Sequence, residues 1–240
     1  MQLEIIFIII LTSSIQSIFG TGVLLFGTPL LLILGYDFQN ILPILLPTSI
    51  LINFFQLKNQ IQEINFNFYI KLVILSIPFI VIFLYFVTTK FLNITPLVGL
   101  FLIIISLKDI IPFIKRNINF INKYESIFLI ITGIIHGLTN LGGSLLSALI
   151  INKNLTKEST RSTIAICYST FAIFQIITLI IFGDSILFFS KPNLTYWFIG
   201  LIIFFIVEKF IFFKINKEAY IKYFTFFLFI TGLLLIINNY

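Results

Sequence analysis

The chain has 240 residues, of which 59% are hydrophobic and only 10% are charged. A soluble domain carries roughly 25% charged residues on its surface, so this composition excludes a water-soluble globular protein and predicts one embedded in a lipid bilayer. The net charge of +6 does not indicate a nucleic-acid partner, because the Lys and Arg residues lie in short loops between apolar runs. Membrane orientation places basic residues in such loops.

Reactive side chains are too few for several classes of site. Cys167 is the only cysteine and His136 the only histidine, which excludes an intrachain disulfide and a metal site built from Cys or His clusters. The sequence has no Gly-x-x-x-x-Gly-Lys-Ser/Thr motif, so an ATP site is not expected. We expect no metal and no other cofactor.

The first apolar run, residues 5–35, is too long for one ordinary membrane span. The N-terminus before it lacks the basic region and small-residue cleavage site of a secretory signal, so we expect it to belong to the mature fold. The run is interrupted by Gly20-Thr21-Gly22 and again by Gly27-Thr28-Pro29. Such breaks survive in a membrane only where protein covers them or a polar cavity adjoins them.

Uninterrupted runs and a second broken segment follow. The second broken segment, residues 126–151, is interrupted by Gly137-Leu138-Thr139-Asn140-Leu141-Gly142-Gly143, and the loop 114–124 before it is the expected junction. All nine acidic residues lie at or beyond the ends of runs, so the bilayer core is expected to hold no carboxylate. The runs of about 20 apolar residues that a membrane helix needs are 41–57, 68–89, 94–113, 162–182, 194–213 and 220–237.

The two halves of the chain repeat the same order of elements. Phe54-Phe55-Gln56 recurs as Ile173-Phe174-Gln175 about 120 residues later, and Gly22 corresponds to Gly142 at about the same offset. Repetition at a fixed period indicates an internal duplication. We therefore predict two membrane repeats, residues 1–118 and 119–240, that together form one transmembrane domain.

The Lys and Arg residues distinguish two topologies. If each broken segment crosses the membrane once, giving eight transmembrane helices as four plus four, the basic residues divide almost evenly between the two sides. If each enters and leaves on one side, all except Lys90 and Lys191 lie inside, and both termini lie outside. The positive-inside rule favours the second topology. Each half then makes an odd number of crossings, so the second half is inverted relative to the first.

The predicted fold is therefore an all-α polytopic membrane protein with two inverted repeats in the cell membrane. Each repeat is a glycine-broken re-entrant helical hairpin followed by three transmembrane helices, and the eight-helix arrangement is the alternative. Inverted repeats with broken helices that meet near the midplane are typical of secondary transporters. The sequence does not predict the oligomeric state.

The two breaks provide a candidate binding site. The second arm of each hairpin begins a helix near Val23 or Ser144, and a helix N-terminus offers free N–H groups and about half a positive charge. Such a site binds an anion without Lys or Arg. On the next helix of each half, Ser49, Asn53, Gln56, Thr170 and Gln175 would line the path, and Cys167 and Tyr168 also lie on that helix in the second half. The candidate substrate-binding residues are Gly20, Thr21, Gly22, Thr28, Ser49, Asn53, Gln56, Thr139, Asn140, Gly142, Gly143, Ser144, Thr170 and Gln175.

These features also have a purely structural interpretation. Glycines in membrane helices commonly allow close helix packing, and Ser or Thr side chains often bond to their own backbone. The recurrence of a break and a polar stripe in both halves favours the functional interpretation. His136, just before the second break, is a candidate proton carrier, although a lone histidine also serves as a hydrogen-bonding packing residue.

The broken segments resemble those of a known family. Gly20-Thr21-Gly22 with Pro29-Leu30-Leu31-Leu32-Ile33-Leu34-Gly35 resembles the N-terminal signature of the TauE/SafE sulfite exporter (TSUP) family, and Gly137 to Leu145 resembles the matching signature of its second half. The resemblance covers essentially the whole chain. It implies a transporter of small sulfur-containing or organic anions, such as sulfite, thiosulfate or sulfonates.

We therefore expect a secondary transporter, and specifically an exporter, of a small sulfur-containing anion. H⁺ or Na⁺ is the possible coupling ion. One alternative is a permease for a cation or a metabolite on the same fold, and another is a membrane assembly subunit without transport. An intramembrane enzyme is disfavoured, because such enzymes need a nucleophile–base pair, a metal cluster or carboxylates.

Overall fold

The computed structural model describes residues 2–58, 60–90, 93–107, 124–151, 153, 155–182 and 190–210, with isolated helical positions 229, 233 and 236–237. No β-strand occurs among these residues. The expected run 220–237 lies outside the described residues except for those isolated positions. The last part of run 94–113 and the junction loop up to Lys123 also lie outside them.

The described residues form nine α-helices and one 3₁₀ turn, Ile61–Glu63, between α3 and α4. The helices of the first half are α1 Leu3–Phe19, α2 Val23–Ile33, α3 Phe38–Leu57, α4 Phe66–Thr89 and α5 Thr95–Leu107. Those of the second half are α6 Glu125–Thr139, α7 Gly143–Ile151, α8 Lys157–Phe182 and α9 Lys191–Phe210.

Helices α3, α4, α8 and α9 are long and apolar enough to cross a membrane. Helices α1, α2, α5 and α6 are apolar but shorter. Of these, α1, α2 and α6 lie in the two broken segments. Together these helices give the chain the character of a multi-pass membrane protein, as its composition indicates.

Each glycine break is a reversal of the chain. Gly20 ends α1 in the left-handed conformation with φ +74°, and Asn140 ends α6 in the same conformation with φ +63°. A left-handed residue is a common way to terminate a helix. The chain then turns back, so that α2 packs beside α1 and α7 packs beside α6.

The two reversals have the same local geometry. A Cβ atom added at Gly22 would lie 2.7 Å from the carbonyl oxygen of Thr12, and one at Gly142 would lie 2.5 Å from that of Thr132. In both cases the glycine contacts a residue ten positions earlier in the chain. A continuous helix would separate residues ten positions apart by about 15 Å. The contacts therefore require a hairpin at each break.

At the open end of each hairpin, a polar contact joins its two arms. In the first, the Tyr36 hydroxyl donates to Glu4 at 2.8 Å, because the end of α2 returns to the start of α1. Partial burial and the hydrogen bond to Glu4 raise the pKa of Tyr36 to about 12, so the phenol remains a donor. In the second, Lys153 after α7 forms an ion pair with Glu125 at the start of α6.

Contacts along α4 place these open ends at opposite ends of the molecule. The start of α4 lies beside the second hairpin, where Lys71 pairs with Glu125 at 3.3 Å. The end of α4 lies beside the start of α3, where Gln39 donates to the carbonyl of Thr88 at 2.7 Å. Because α3 follows Tyr36 directly, we refer below to the Tyr36 end and the Glu125 end of the molecule.

Helices α4 and α6 form the closest seam of the described core. A Cβ at Gly133 would lie 2.4 Å from the backbone oxygen of Ser76, and one at Gly137 would lie 2.8 Å from that of Ile80. The Ser76 hydroxyl donates to the carbonyl of Leu129 at 2.7 Å. Small residues that let backbones approach are characteristic of helix packing in membranes. This seam attaches the second hairpin to the first half.

Candidate functional site

Gln16 is the centre of a buried hydrogen-bond cluster at the first reversal. Its amide nitrogen donates to the Asn53 side-chain oxygen at 2.9 Å and to the Ser49 hydroxyl at 3.2 Å. Its amide oxygen accepts from the backbone N–H of Val23 at 2.9 Å. One side chain therefore caps α2, whose first N–H groups have no partner within the helix, and attaches the hairpin to α3.

His136 occupies the corresponding place at the second reversal. Its ring nitrogen Nε2 lies 3.2 Å from the side-chain oxygen of Gln175 on α8. The ring packs against Phe171 with a centroid separation of 4.6 Å and has its edge contact with Tyr168 at 6.2 Å. The side chain is fully buried. His136 thus connects the second hairpin to α8, much as Gln16 connects the first to α3.

The correspondence between these two residues extends to their backbone contacts. A Cβ at Gly22 would lie 2.5 Å from the nitrogen of Gln16, and one at Gly142 would lie 2.9 Å from the nitrogen of His136. The two residues are separated by the same interval of about 120 that separates the two glycines. A neutral amide in one half therefore stands where the other half has a titratable imidazole.

A hydrogen bond connects the two hairpins, and a close contact connects the first hairpin to α8. The Asn140 amide at the second reversal donates to the Thr28 hydroxyl on α2 at 2.9 Å, and both side chains are fully buried. The Thr21 side chain at the first reversal lies beside the Tyr168 hydroxyl on α8. Residues from both halves of the chain therefore meet at the two breaks.

The Tyr168 hydroxyl lies against the first turn of α7. A Cβ at Gly143 would fall only 1.2 Å from it, so no residue with a side chain fits at that position without displacing the tyrosine. Glycine is required here because the phenol oxygen occupies the side-chain position. Tyr168 thereby places a hydroxyl group directly at a helix N-terminus.

Several polar atoms of this cluster are buried without a hydrogen-bond partner in the described part of the chain. Buried polar groups nearly always find a partner, so a group of unpartnered ones requires an explanation, and a bound polar ligand would provide one. The two hydroxyl groups and the amide nitrogens of Asn53 and Gln175 can each donate a hydrogen bond, whereas the amide oxygen of Asn140 accepts one. The atoms are Thr21 Oγ1, Asn53 Nδ2, His136 Nδ1, Asn140 Oδ1, Tyr168 Oη and Gln175 Nε2.

The electrostatic setting of the cluster is free of carboxylates among the described residues. Glu125 and Glu208 are partly exposed at helix ends, and the other described acidic residues are exposed. No group of three or more His, Cys, Asp or Glu side chains that could hold a metal ion occurs in the described ranges. The cluster therefore presents hydrogen-bond donors without a repelling negative charge.

Arg161 places a buried cation beside the first reversal, and the sequence analysis did not include it in the site. Its guanidinium donates to the carbonyl of Ser17 at 3.0 Å and to Glu208 at 2.7 Å. Gln56, oriented with its amide oxygen toward the guanidinium, accepts a further bond at 3.0 Å. The side chain also contacts Gly20. The sequence predicts an anion site without a nearby Lys or Arg, whereas the structure has Arg161 beside it. The carboxylate of Glu208 neutralises the charge of this guanidinium.

Three other predicted residues form hydrogen bonds outside the cluster. The Ser144 hydroxyl donates to the carbonyl of Leu141 at 3.1 Å. The Thr139 hydroxyl donates to the carbonyl of Ile135 at 2.7 Å. Thr170 lies 3.0 Å from the hydroxyl of Tyr69 on α4, away from the bonds that join the two hairpins.

Gln16 and Arg161 were missed for different reasons. Gln16 lies inside the first broken segment among apolar residues, and the sequence signal for it is its position 120 residues before His136. Arg161 immediately precedes the apolar run 162–182 and was assigned to a loop. In the structure it belongs to α8 and is only 5% exposed, because its long side chain reaches under the end of α1.

Comparison with known proteins identifies a family to which the chain is similar. A family model described as Sulfite exporter TauE/SafE matches residues 5–237, which is nearly the whole chain and includes both reversals. No curated protein and no solved structure matches the chain.

Proposed function

The chain belongs to the TauE/SafE sulfite exporter family, a family of membrane transporters rather than enzymes, and we propose that it exports a small sulfur-containing anion. The family implies sulfur anions such as sulfite. Sulfite, thiosulfate and a short organosulfonate are the proposed substrates. The single observation that supports the site is the group of unpartnered donors between the two reversals.

We place the anion between the reversals, in contact with groups from both halves. The amide nitrogens of Asn53 and Gln175 are buried and unpartnered, and the hydroxyls of Thr21 and Tyr168 lie beside each other with no other partner among the described residues. The first turns of α2 and α7 add backbone N–H groups and the positive ends of their dipoles. Each donor to a charged group contributes about 1.5–3 kcal/mol. The proposed binding set remains Gly20, Thr21, Gly22, Thr28, Ser49, Asn53, Gln56, Thr139, Asn140, Gly142, Gly143, Ser144, Thr170 and Gln175, to which Gln16 and Tyr168 are added.

The proposed architecture is a pair of inverted repeats, residues 1–118 and 119–240, in the cell membrane. The open ends of the hairpins, at Tyr36 and at Glu125, support it, because they lie at opposite ends of the molecule. The positive-inside rule supports placing the Tyr36 end outside. An impermeant thiol reagent should then label Asp37→Cys only from outside and Lys153→Cys only from inside. Labelling of both from one side would contradict this arrangement.

A proton bound at His136 is the proposed coupling ion. The imidazole is buried beside uncharged groups. With Nε2 bonded to Gln175, its Nδ1 atom has no partner among the described residues and is available to accept a proton. An anion that arrives between the hairpins supplies the opposite charge that a protonated imidazole needs. Anion and proton would therefore bind together. The described cluster has no carboxylate, which favours this scheme over a cation permease.

Binding of anions to the purified protein tests the site. We expect sulfite, thiosulfate or a short sulfonate to raise the thermal unfolding temperature in detergent, and chloride to have little effect. Tyr168→Phe removes one hydroxyl and keeps the ring, so it should weaken the apparent affinity roughly tenfold. Thr195→Val on the exposed face of α9 is the matched control. An unchanged affinity in Tyr168→Phe would exclude the hydroxyl as a ligand.

A further inference from the structure

A cavity of about 430 Å³ lies at the Tyr36 end, between α1, α3 and α9. Its lining combines polar and apolar side chains, among them Gln2, Ile5, Tyr36, Asn40, Ile44 and Tyr196. A volume of this size holds a small organic molecule or an oxyanion with several waters. The proposed anion site has no part in this lining, so the cavity needs a separate explanation.

One face of α1 leads from the cavity to the anion site. Ile5 lines the cavity, and Ile9, Ser13 and Gln16 follow it at intervals of three or four residues. Residues at these intervals lie above one another on a helix. Ile9 and Ser13 are therefore the two steps between the cavity and Gln16.

A matching face of α3 leads in the same direction. Ile44 lines the cavity, Thr48 lies one turn further, and Ser49 and Asn53 belong to the Gln16 cluster. The Thr48 hydroxyl donates to the carbonyl of Ile44 at 2.7 Å, which fixes the orientation of its methyl group. The two faces thus pass Ser13 and Thr48 at the same level.

Helix α9 closes the space between these faces at Gly200. A Cβ at Gly200 would lie 2.5 Å from Thr48 Cγ2, 2.9 Å from Ser13 Oγ and 3.4 Å from Ile9 Cγ2. The absence of a side chain therefore allows α9 to seal the passage at that level. The Ser13 hydroxyl oxygen is buried there without a hydrogen-bond partner, so the seam encloses a polar atom that a passing anion or water would satisfy.

The attachment of α9 is confined to one stripe and a few polar contacts. Its buried residues are Tyr196, Gly200, Phe204 and Val207, which share one face. Near the cavity, Trp197 donates to the carbonyl of Pro43 at 3.0 Å. Toward the Glu125 end it carries Glu208, the partner of Arg161. At the level of Gly200 itself, separation of α9 from α1 and α3 therefore breaks van der Waals contacts, while the hydrogen bonds of α9 to Pro43 and Gln2 lie about one turn away.

We propose that the cavity is the outer mouth of the translocation path and that the contact of Gly200 with Ser13, Thr48 and Ile9 is the outer gate. Movement of α9 away from α1 and α3 at this level connects the cavity to the Gln16 cluster. This inference rests on the proposed transport function, but its structural test does not need a known substrate.

Thiol accessibility tests the gate in membranes of intact cells. In a Cys167→Ala background, Asn40→Cys should react with an impermeant methanethiosulfonate reagent from outside, and Ser13→Cys should be protected. Adding Gly200→Ala places a methyl group in the seam, so we expect the labelling rate of Ser13→Cys to rise at least fivefold while that of Asn40→Cys is unchanged.

Two further variants separate gate opening from general loosening. Gly133→Ala crowds the seam between α4 and α6 equally, because a Cβ there lies 2.4 Å from Ser76 O, and it should leave Ser13→Cys protected. Thr48→Ser removes the methyl group that the new side chain meets, and combined with Gly200→Ala it should restore protection. The gate is wrong if Gly200→Ala leaves the Ser13→Cys rate unchanged, or if Gly133→Ala raises it equally.

A disulfide between positions 200 and 48 provides a second test, which holds the proposed gate closed instead of forcing it open. The Cβ at position 200 and the Thr48 Cβ lie within about 4 Å, which suits a disulfide. Oxidation of Gly200→Cys with Thr48→Cys in the Cys167→Ala background should stop anion flux in proteoliposomes, and reductant should restore it. Undiminished flux through the cross-linked protein would overturn the gate, whereas absence of flux in the unmodified protein would contradict the proposed function instead.

Discussion

Glycine at the two reversals has a packing role that the sequence did not distinguish from ligand binding. A Cβ atom at Gly22 would point into α1, and one at Gly142 would point into α6. Their missing side chains therefore allow each hairpin to close. Contact of their N–H groups with an anion remains a proposal. For this reason the variants that test binding are placed at Tyr168 rather than at the glycines.

Replacement of Gly142 should destabilise the second hairpin. In Gly142→Ala the new methyl carbon meets the backbone of Thr132 at 2.5 Å, and neither helix can move without breaking its packing. Overpacking of this kind costs about 1–3 kcal/mol, so the thermal unfolding temperature should fall by several degrees. Gly35→Asn is the control, since Gly35 has open space around it and Asn tolerates its positive φ. Equal effects of both changes would contradict the packing role.

At the scale of elements, the second hairpin depends on an ion pair at its open end. Burial alone would raise the pKa of Glu125, but Lys153 and Lys71 outweigh it and hold the pKa below its ordinary value of 4.5. A carboxyl group with a lowered pKa stabilises the folded state at pH above that ordinary value. The stabilisation is lost as pH falls through the lowered pKa.

The resulting pH dependence can be measured directly. The unfolding temperature should fall as the pH is lowered below about 4.5, and Glu125→Gln should reduce this dependence. Glu63→Gln is the matched control, because Glu63 is exposed and forms none of the described ion pairs. The same pH profile in Glu125→Gln and in the unmodified protein would contradict a stabilising ion pair.

The two chain reversals could be predicted from the sequence, whereas the hydrogen bonds that attach them to the other helices could not. Adjacent glycines disfavour a continuous helix, and the distribution of basic residues favours reversal over crossing. The first argument concerns neighbouring residues and the second is a count along the chain, so neither requires knowledge of which helices pack together. The Gln16 bonds to Ser49 and Asn53 join residues more than 30 positions apart. Arg161 reaches Ser17 from 144 positions away. Such pairings depend on how the helices assemble, which hydrophobic periodicity does not specify.

For the whole molecule, the two halves contribute similar but unequal residues to the proposed site. The first contributes Gln16 and the second contributes His136 at the corresponding position. Of these two side chains, only the imidazole can take up a proton. Two hairpins that enter from opposite ends would let one site face either side in turn, since each half can move relative to the other. The unequal pair would then couple the anion to a proton.

The most direct test of this account is flux of sulfite in proteoliposomes with simultaneous recording of internal pH. Vesicles that contain the unmodified protein should take up or release radiolabelled sulfite down its gradient, and protons should move with it. His136→Gln gives the second half the residue that the first half has at this place, so sulfite flux should persist without proton movement. Absence of sulfite, thiosulfate and sulfonate flux in the unmodified protein would contradict the transport function, and proton movement undiminished in His136→Gln would contradict the role of the imidazole.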